Sequence, residues 1–412
     1  MASQVSDEQL KTTNTQRNGN KYLINLIELS AQTDLSLELT AAMSMMDGAL
    51  VVVDCVESVS LQTDVLLLHA LGDRIRPVLT LDKIDRCFLE LQVDGEVAYH
   101  TFSHVIHSIN VSSASNDDGH LGDVQVCPGK GTVAFSGQHG WAFTLTRFAK
   151  MYASKFGVDE AKMMEMLWGE NFFDKHTNKW TTKNTCSSTC KRGFVQFCYE
   201  PIKEIINTCM NGQKEKLWPM LQKLNITMMP DDKELTGKAL MNRVMQAWLP
   251  AGTALIEMMI FHLPSPPTAQ KHRVENLYEG PLGDTYSNAI RNCDTEGPLM
   301  LYVSLKIPTS DKGSSFAFGH VFSGKVSTGM NVRIMASNGT RDQKEVYANI
   351  VHSPSIWMGK KLVSVEDIPC GSTVALVGMD QFVAKNATLT NVKEVNAYPI
   401  RAKCEGEPHL CC

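Results

Sequence analysis

The run Pro77-Val-Leu-Thr-Leu-Asp-Lys-Ile-Asp85 carries the densest chemistry in this 412-residue chain. Aliphatic and β-branched residues, the kind that fill a buried strand, stop abruptly on Asp82, Lys83 and Asp85. Two carboxylates and an ammonium at a strand end can grip a planar polar ligand by accepting and donating hydrogen bonds. In open α/β sheets, ligands bind where strands end. The plainer alternative is a solvated loop of two aspartates and a lysine.

The acidic-Lys-x-Asp order resembles the guanine-recognition loop of GTP-binding proteins, Asn-Lys-x-Asp. In that role Asp85 accepts two hydrogen bonds from the base and the Lys83 stem flanks it. Asp82 stands where the asparagine is expected, and a carboxylate only accepts. Acceptor set against acceptor costs roughly 1–3 kcal/mol of nucleotide affinity. Phosphates call for Gly-x-x-x-x-Gly-Lys-Ser/Thr between a strand and a helix. The nearest match, Gly319 to Gly324-Lys325, is followed by Val326 and lies among alternating strands, so a β-hairpin is expected there. His100, His104 and His107 share one helix face opposite Ala98, Phe102 and Val105; three water-facing imidazoles are expected, with a zinc or nickel site as the alternative.

These residues need a scaffold, and the pattern supplies one. Strand-like runs at Tyr22–Leu29, Gly48–Asp54 and Pro77–Asp82 alternate with helical spacing at Asp34–Met46 and Asp64–Leu71. Strand, helix, strand with short links predicts an α/β, doubly wound parallel sheet. A helix is expected from Asp94 to His107, a strand at Gly131–Phe135, and mostly helical residues over 143–215. Further helices are expected at Glu234–Trp248 and Gly252–His262. Leu263-Pro-Ser-Pro-Pro267 punctuates the chain. After Pro298, short alternating strands predict a β-barrel or sandwich: Leu299–Val303, Ser315–Phe322, Met330–Met335 and Ser372–Val377.

Composition narrows the function classes. With 43% hydrophobic and 20% charged residues the chain can bury two or three domain cores. A net charge of −5 gives no global basic field, so no DNA partner is expected and RNA contact would need a local patch. The 12 cysteines are scattered; neither Cys186-x-x-x-Cys190 nor Cys411-Cys412 has zinc spacing, and reduced cytoplasmic thiols are expected. The longest apolar stretch, Thr253 to Leu263, is too short to span a bilayer, so no membrane partner is expected.

Longer segments carry a specific resemblance. Leu23-Ile-Asn-Leu-Ile27, Asp47-Gly-Ala-Leu-Val-Val-Val-Asp54, His139-Gly-Trp-Ala-Phe143, Trp248-Leu-Pro-Ala251, Tyr278-Glu-Gly-Pro281 and Phe322-Ser-Gly-Lys-Val-Ser-Thr-Gly329 are similar to eukaryotic translation elongation factor two, a translational GTPase, in a form closest to the plant versions. The resemblance covers about residues 5–400. It implies a G domain over 1–272 with a mostly helical insert at about 146–238, a barrel over 273–395, and an unmatched tail over 396–412. GTP and Mg2+ as cofactors, the ribosome (its RNA and stalk proteins) as partner, a monomeric state and GTP-driven translocation are what the family implies.

The departures are local. The family's second switch, Asp-x-Pro-Gly-His-x-Asp, reads Glu28-Leu-Ser-Ala-Gln-Thr-Asp34. Glu28 then replaces the aspartate that holds magnesium through water, and Gln32 the catalytic histidine; glutamine orients water in other GTPases. Ser136-Gly137-Gln138 stands where the third base-side motif has one residue more, and Ser314 and His320 replace arginines on an RNA-facing barrel surface. The phosphate loop, the first switch and the central first strand would lie upstream of residue 1, and the domains after the barrel are missing. A truncated, degenerate chain with a destabilised sheet and little GTPase activity is therefore expected. Its alternatives are a non-catalytic ribosome- or stalk-binding module and an unstable pseudogene product.

Overall fold

The computed structural model describes residues 2–4, 20–29, 42–114, 121–183, 189–308, 315–336, 346–359, 361–379, 386–391, 393–394 and 396–400. Two short strands, β1 (Ala2–Gln4) and β2 (Lys21–Leu23), pair with each other antiparallel. The main sheet follows, in the order β3 (Gly48–Asp54), β4 (Arg76–Asp82), β5 (Val133–Gly137) and β6 (Trp141–Thr144). β3, β4 and β5 run parallel, and β6 returns antiparallel along β5.

Both faces of this sheet are covered, which is why its strands read as continuous apolar runs. Side chains alternate across it. Val51, Val53, Leu79, Leu81, Val133 and Phe135 join the large core beneath helices α1 (Leu61–Gly72) and α3 (Gly95–Ala114). Leu50, Val78 and Ala134 face the other way, against Met258 and Leu255 of a later helix, Ala251–His262. Between α1 and α3 sits the five-residue helix α2 (Asp85–Leu89). Helix α1 starts where Ser60 Oγ accepts the Thr63 N–H at 3.1 Å, satisfying one of the free donors of the first turn.

The run Tyr22–Leu29, expected as a sheet strand, does not join the main sheet. Only its first residues are strand, in the β1–β2 pair, and the rest runs without ladder bonds. Among the described residues β3 therefore has no neighbour on its outer side, and Val52 is 54% exposed. Of the expected helix Asp34–Met46, residues 42–44 are helical and 30–41 lie outside the described residues.

The insert is not purely helical. Helices Leu145–Phe156, Glu160–Leu167, Glu200–Met210 and Gly237–Trp248 enclose a three-stranded antiparallel sheet, Phe172–Asp174, Lys179–Thr181 and Cys190–Arg192. The proline-rich run expected to break the chain instead opens a helix, Pro266–Leu277, with Ser265 before it and prolines in the first turn, where their missing N–H costs nothing.

Downstream, an eight-stranded antiparallel sheet curls into a half-barrel. Its order is Val346–Ile350, Asn331–Ala336, Ala387–Asn391, Met300–Pro308, Ser315–Ser323, Thr373–Val377, Pro354–Met358, Lys361–Ser364. Closure into a full barrel is not seen among the described residues. Gly319 lies inside the strand Ser315–Ser323, and Gly324 joins it to the strand Lys325–Ser327, so this segment is β-structure. A Cβ at Gly319 would lie 2.1 Å from the Tyr302 carbonyl oxygen, so the glycine serves strand packing.

Candidate functional site

Parallel register sets the site. Asp54 pairs with Asp82, so β3 and β4 end side by side on carboxylates. The loop after β4 is pinned from both sides. Cys55 N–H donates to Asp82 O at 3.0 Å, and Ile84 N–H donates to Ser136 O at 3.0 Å. Lys83 takes φ +59°, a left-handed conformation that side chains rarely adopt and that persists only where neighbours enforce it.

Asp54 is the enforcer. Its carboxylate accepts the backbone N–H groups of Val56 at 2.8 Å and Glu57 at 3.1 Å. It also holds the Lys83 ammonium at 3.1 Å and the Arg86 guanidinium at 3.1 Å. Burial works against its ionisation, but those backbone donors and Lys83 outweigh it, and its pKa lies below the usual carboxylate value. The hydrogen bond to Asp54 raises the pKa of Lys83 in turn.

Asp85 opens α2 and is buried at 4% exposure, where Oδ1 accepts the Gln138 N–H at 3.1 Å. Asp82, Lys83 and Ser136 are half-buried around it. Gly137 is covered by Trp141: a Cβ there would meet the indole ring at 2.3 Å. The expected nucleotide residues Asp82, Lys83, Asp85, Ser136 and Gly137 thus come together in one corner. Sequence reasoning did not single out Asp54, Arg86, the Gln138 amide or Trp141. Asp54 was detectable, since it ends an apolar strand in the same way as Asp82.

Glu28 is not part of this corner. It is exposed, and its neighbour Leu29 packs with Ala49, Ala70 and Ile75, at the start of β3 and β4. The corner lies at the other end of those strands. Gln32 and Ser314 fall outside the described residues. No group of three or more His, Cys, Asp or Glu among the described residues could hold a metal ion.

His100, His104 and His107 are exposed on α3, as their spacing implies. His320 corrects an expectation. It is not on an RNA-facing surface but 2% exposed, packed on Phe322 at 4.7 Å, with both ring nitrogens lacking a hydrogen-bond partner. Burial, reinforced by the nearby Arg273 charge, pushes its pKa down to about 3. Among the described residues no helix is long and apolar enough to cross a membrane.

Residues 8–265, well over half of the chain, match the elongation factor Tu GTP binding domain family. That span contains the whole main sheet, the insert and every residue of the corner. A partly parallel sheet with helices on it and an Asp-Lys-x-Asp loop at the end of its second strand is in keeping with that match; the chain belongs to the elongation factor Tu-type translational GTPases.

Proposed function

We propose that this chain is an elongation-factor-two-type member of the translational GTPases, one that keeps a guanine-recognition corner and hydrolyses little or no GTP itself. The observation that carries the base-binding half is the locked pair of segments: Asp85 accepts from the Gln138 amide while Ser136 accepts from the Ile84 amide. The weak-hydrolysis half rests on resemblance: Glu28, Ala31 and Gln32 stand where the family places its magnesium, γ-phosphate and water-positioning groups, and Asp82 replaces a donor. Phosphoryl transfer depends on exact placement of positive charge and of the attacking water, which these residues do not supply. The ribosome is the partner this family membership supports, with RNA and stalk proteins as the contacts, in a soluble monomer. Residues 1–272 would form the nucleotide domain and 273–395 the second domain.

Titration with a fluorescent guanine nucleotide tests the reading. Weak binding is expected with or without Mg2+. Asp82→Asn restores a donor and is expected to tighten binding by roughly 5- to 150-fold, the equivalent of about 1–3 kcal/mol. Sub-micromolar, magnesium-dependent binding by the unaltered chain would overturn the weak-site reading. An adenine nucleotide binding as well as guanine would overturn the assignment of the corner. Co-sedimentation with ribosomal subunits tests the partner.

A further inference from the structure

We propose that Cys55 and Cys87 form a redox-sensitive dithiol that closes to a disulfide beneath the guanine corner. The two sulfurs face each other at 3.9 Å, and the Cys55 thiol also lies 3.4 Å from the Lys83 carbonyl oxygen. Both residues belong to the machinery that shapes the loop without being its ligand contacts. Cys55 follows Asp54 directly and its N–H holds Asp82 O. Cys87 lies on α2, two residues after Asp85.

Closure requires the sulfurs to approach to about 2.05 Å. The strand end carrying Cys55 is fixed by the β3–β4 ladder and by Asp54. The other partner rides on the five-residue helix α2, which Ile84, Asp85 and Arg86 tie to the neighbouring segments, so closure is a small local shift of one side chain towards the other. Cys55 is 0% and Cys87 2% exposed, so the oxidant such a pair calls for is a small one, a hydroperoxide. Cys87, on α2 and slightly less buried than Cys55, is the sulfur an oxidant meets first, and either thiol can donate to the other.

The chemistry balances with a hydroperoxide as oxidant. The Cys87 thiolate attacks one peroxide oxygen, breaking the O–O bond and giving a sulfenic acid and hydroxide. The Cys55 sulfur then attacks the sulfenic sulfur, forms the S–S bond and releases water. Two thiols lose two electrons and two protons, and one hydrogen peroxide becomes two waters. The product ties the end of β3 to α2 and fixes the Lys83 loop between them. The inference stands whether or not nucleotide binds.

The full chain, reduced and then treated with a few equivalents of hydrogen peroxide, is alkylated under denaturing conditions and mapped without reduction. A Cys55–Cys87 cross-linked peptide is expected, two hydrogens lighter than its parts. It should vanish on addition of dithiothreitol and in Cys55→Ser or Cys87→Ser, and persist in Cys370→Ser. Hydrogen exchange of residues 83–89 is expected to slow at least tenfold in the oxidised chain. Quantitative alkylation of both cysteines after peroxide, Cys87 sulfinic acid without a cross-link, or pairing of either residue with another cysteine would each overturn the dithiol. A cross-link with unchanged exchange would overturn the clamp.

Discussion

Asp54 holds two cations at once, Lys83 and Arg86, and its two backbone hydrogen bonds keep it aimed at them. Most of that network is partly solvated, so its worth lies in placing the Lys83 stem more than in stability. His320 is the opposite case, a titratable group sealed from water with no partner for either nitrogen. Its folded pKa of about 3 lies below the ordinary 6.5, so the unfolded chain binds its proton more readily than the folded one. Its contribution to stability is therefore present above about 6.5 and lost as pH falls towards 3. Asp47 opposes this in part: burial raises its pKa to about 6, and its contribution is lost as pH rises from 3.8 to that value. His320→Leu is expected to flatten the fall of the melting temperature between pH 6.5 and 3, checked by thermal scans at a series of pH values. An unchanged slope would show that other groups govern acid unfolding.

Among elements, β3 is the exposed one. Parallel strands of such apolar composition usually lie inside a sheet, yet among the described residues Gly-Ala-Leu-Val-Val-Val-Asp pairs with β4 alone. Alternate amides of β3 point away from β4, and in hydrogen-exchange experiments these are expected to exchange at least tenfold faster than the β4 amides. Uniform protection along β3 would mean that its outer edge is covered in solution. The alternation of strands and helices was legible from hydrophobic spacing, because a sheet buried on both faces leaves continuous apolar runs. The small sheet of the insert was not. Its strands are three residues long, too short for a period to register, and are fixed by ring packing such as Phe173 on Trp180 at 5.2 Å and on Phe197 at 5.2 Å. Pro266 and Pro267 misled for a related reason: a proline marks both loops and first helical turns, and only the backbone before it decides. The corner was legible in Asp82, Lys83 and Asp85, whereas Asp54 and Trp141 reach it from residues distant in sequence.

At the scale of the whole molecule, the helix Pro266–Leu277 joins the two halves. Arg273, 1% exposed, donates to the carbonyl oxygens of Asp73 at 3.1 Å, Met43 at 3.2 Å and Ser44 at 2.9 Å, and to that of Met46. On the other side Gln270 Nε2 donates to Phe322 O at 3.1 Å, and Val274 and Leu277 enter the core shared with Met300 and Tyr302 of the curled sheet. Arg273→Met leaves buried carbonyls without donors and is expected to cost about 3 kcal/mol or more. Calorimetry is expected to show one transition splitting into two as the halves unfold apart; a single, unshifted transition would count against this coupling. Trp141 offers a way to watch the corner inside so large a molecule. Its indole is fully buried against Gly137 with no partner for Nε1. It is thus a natural chromophore set beside Gly137 at the floor of the corner, emitting towards the blue while that floor stays dry. The chain holds six tryptophans, so the signal of this one is the difference between the emission of the unaltered chain and that of Trp141→Phe.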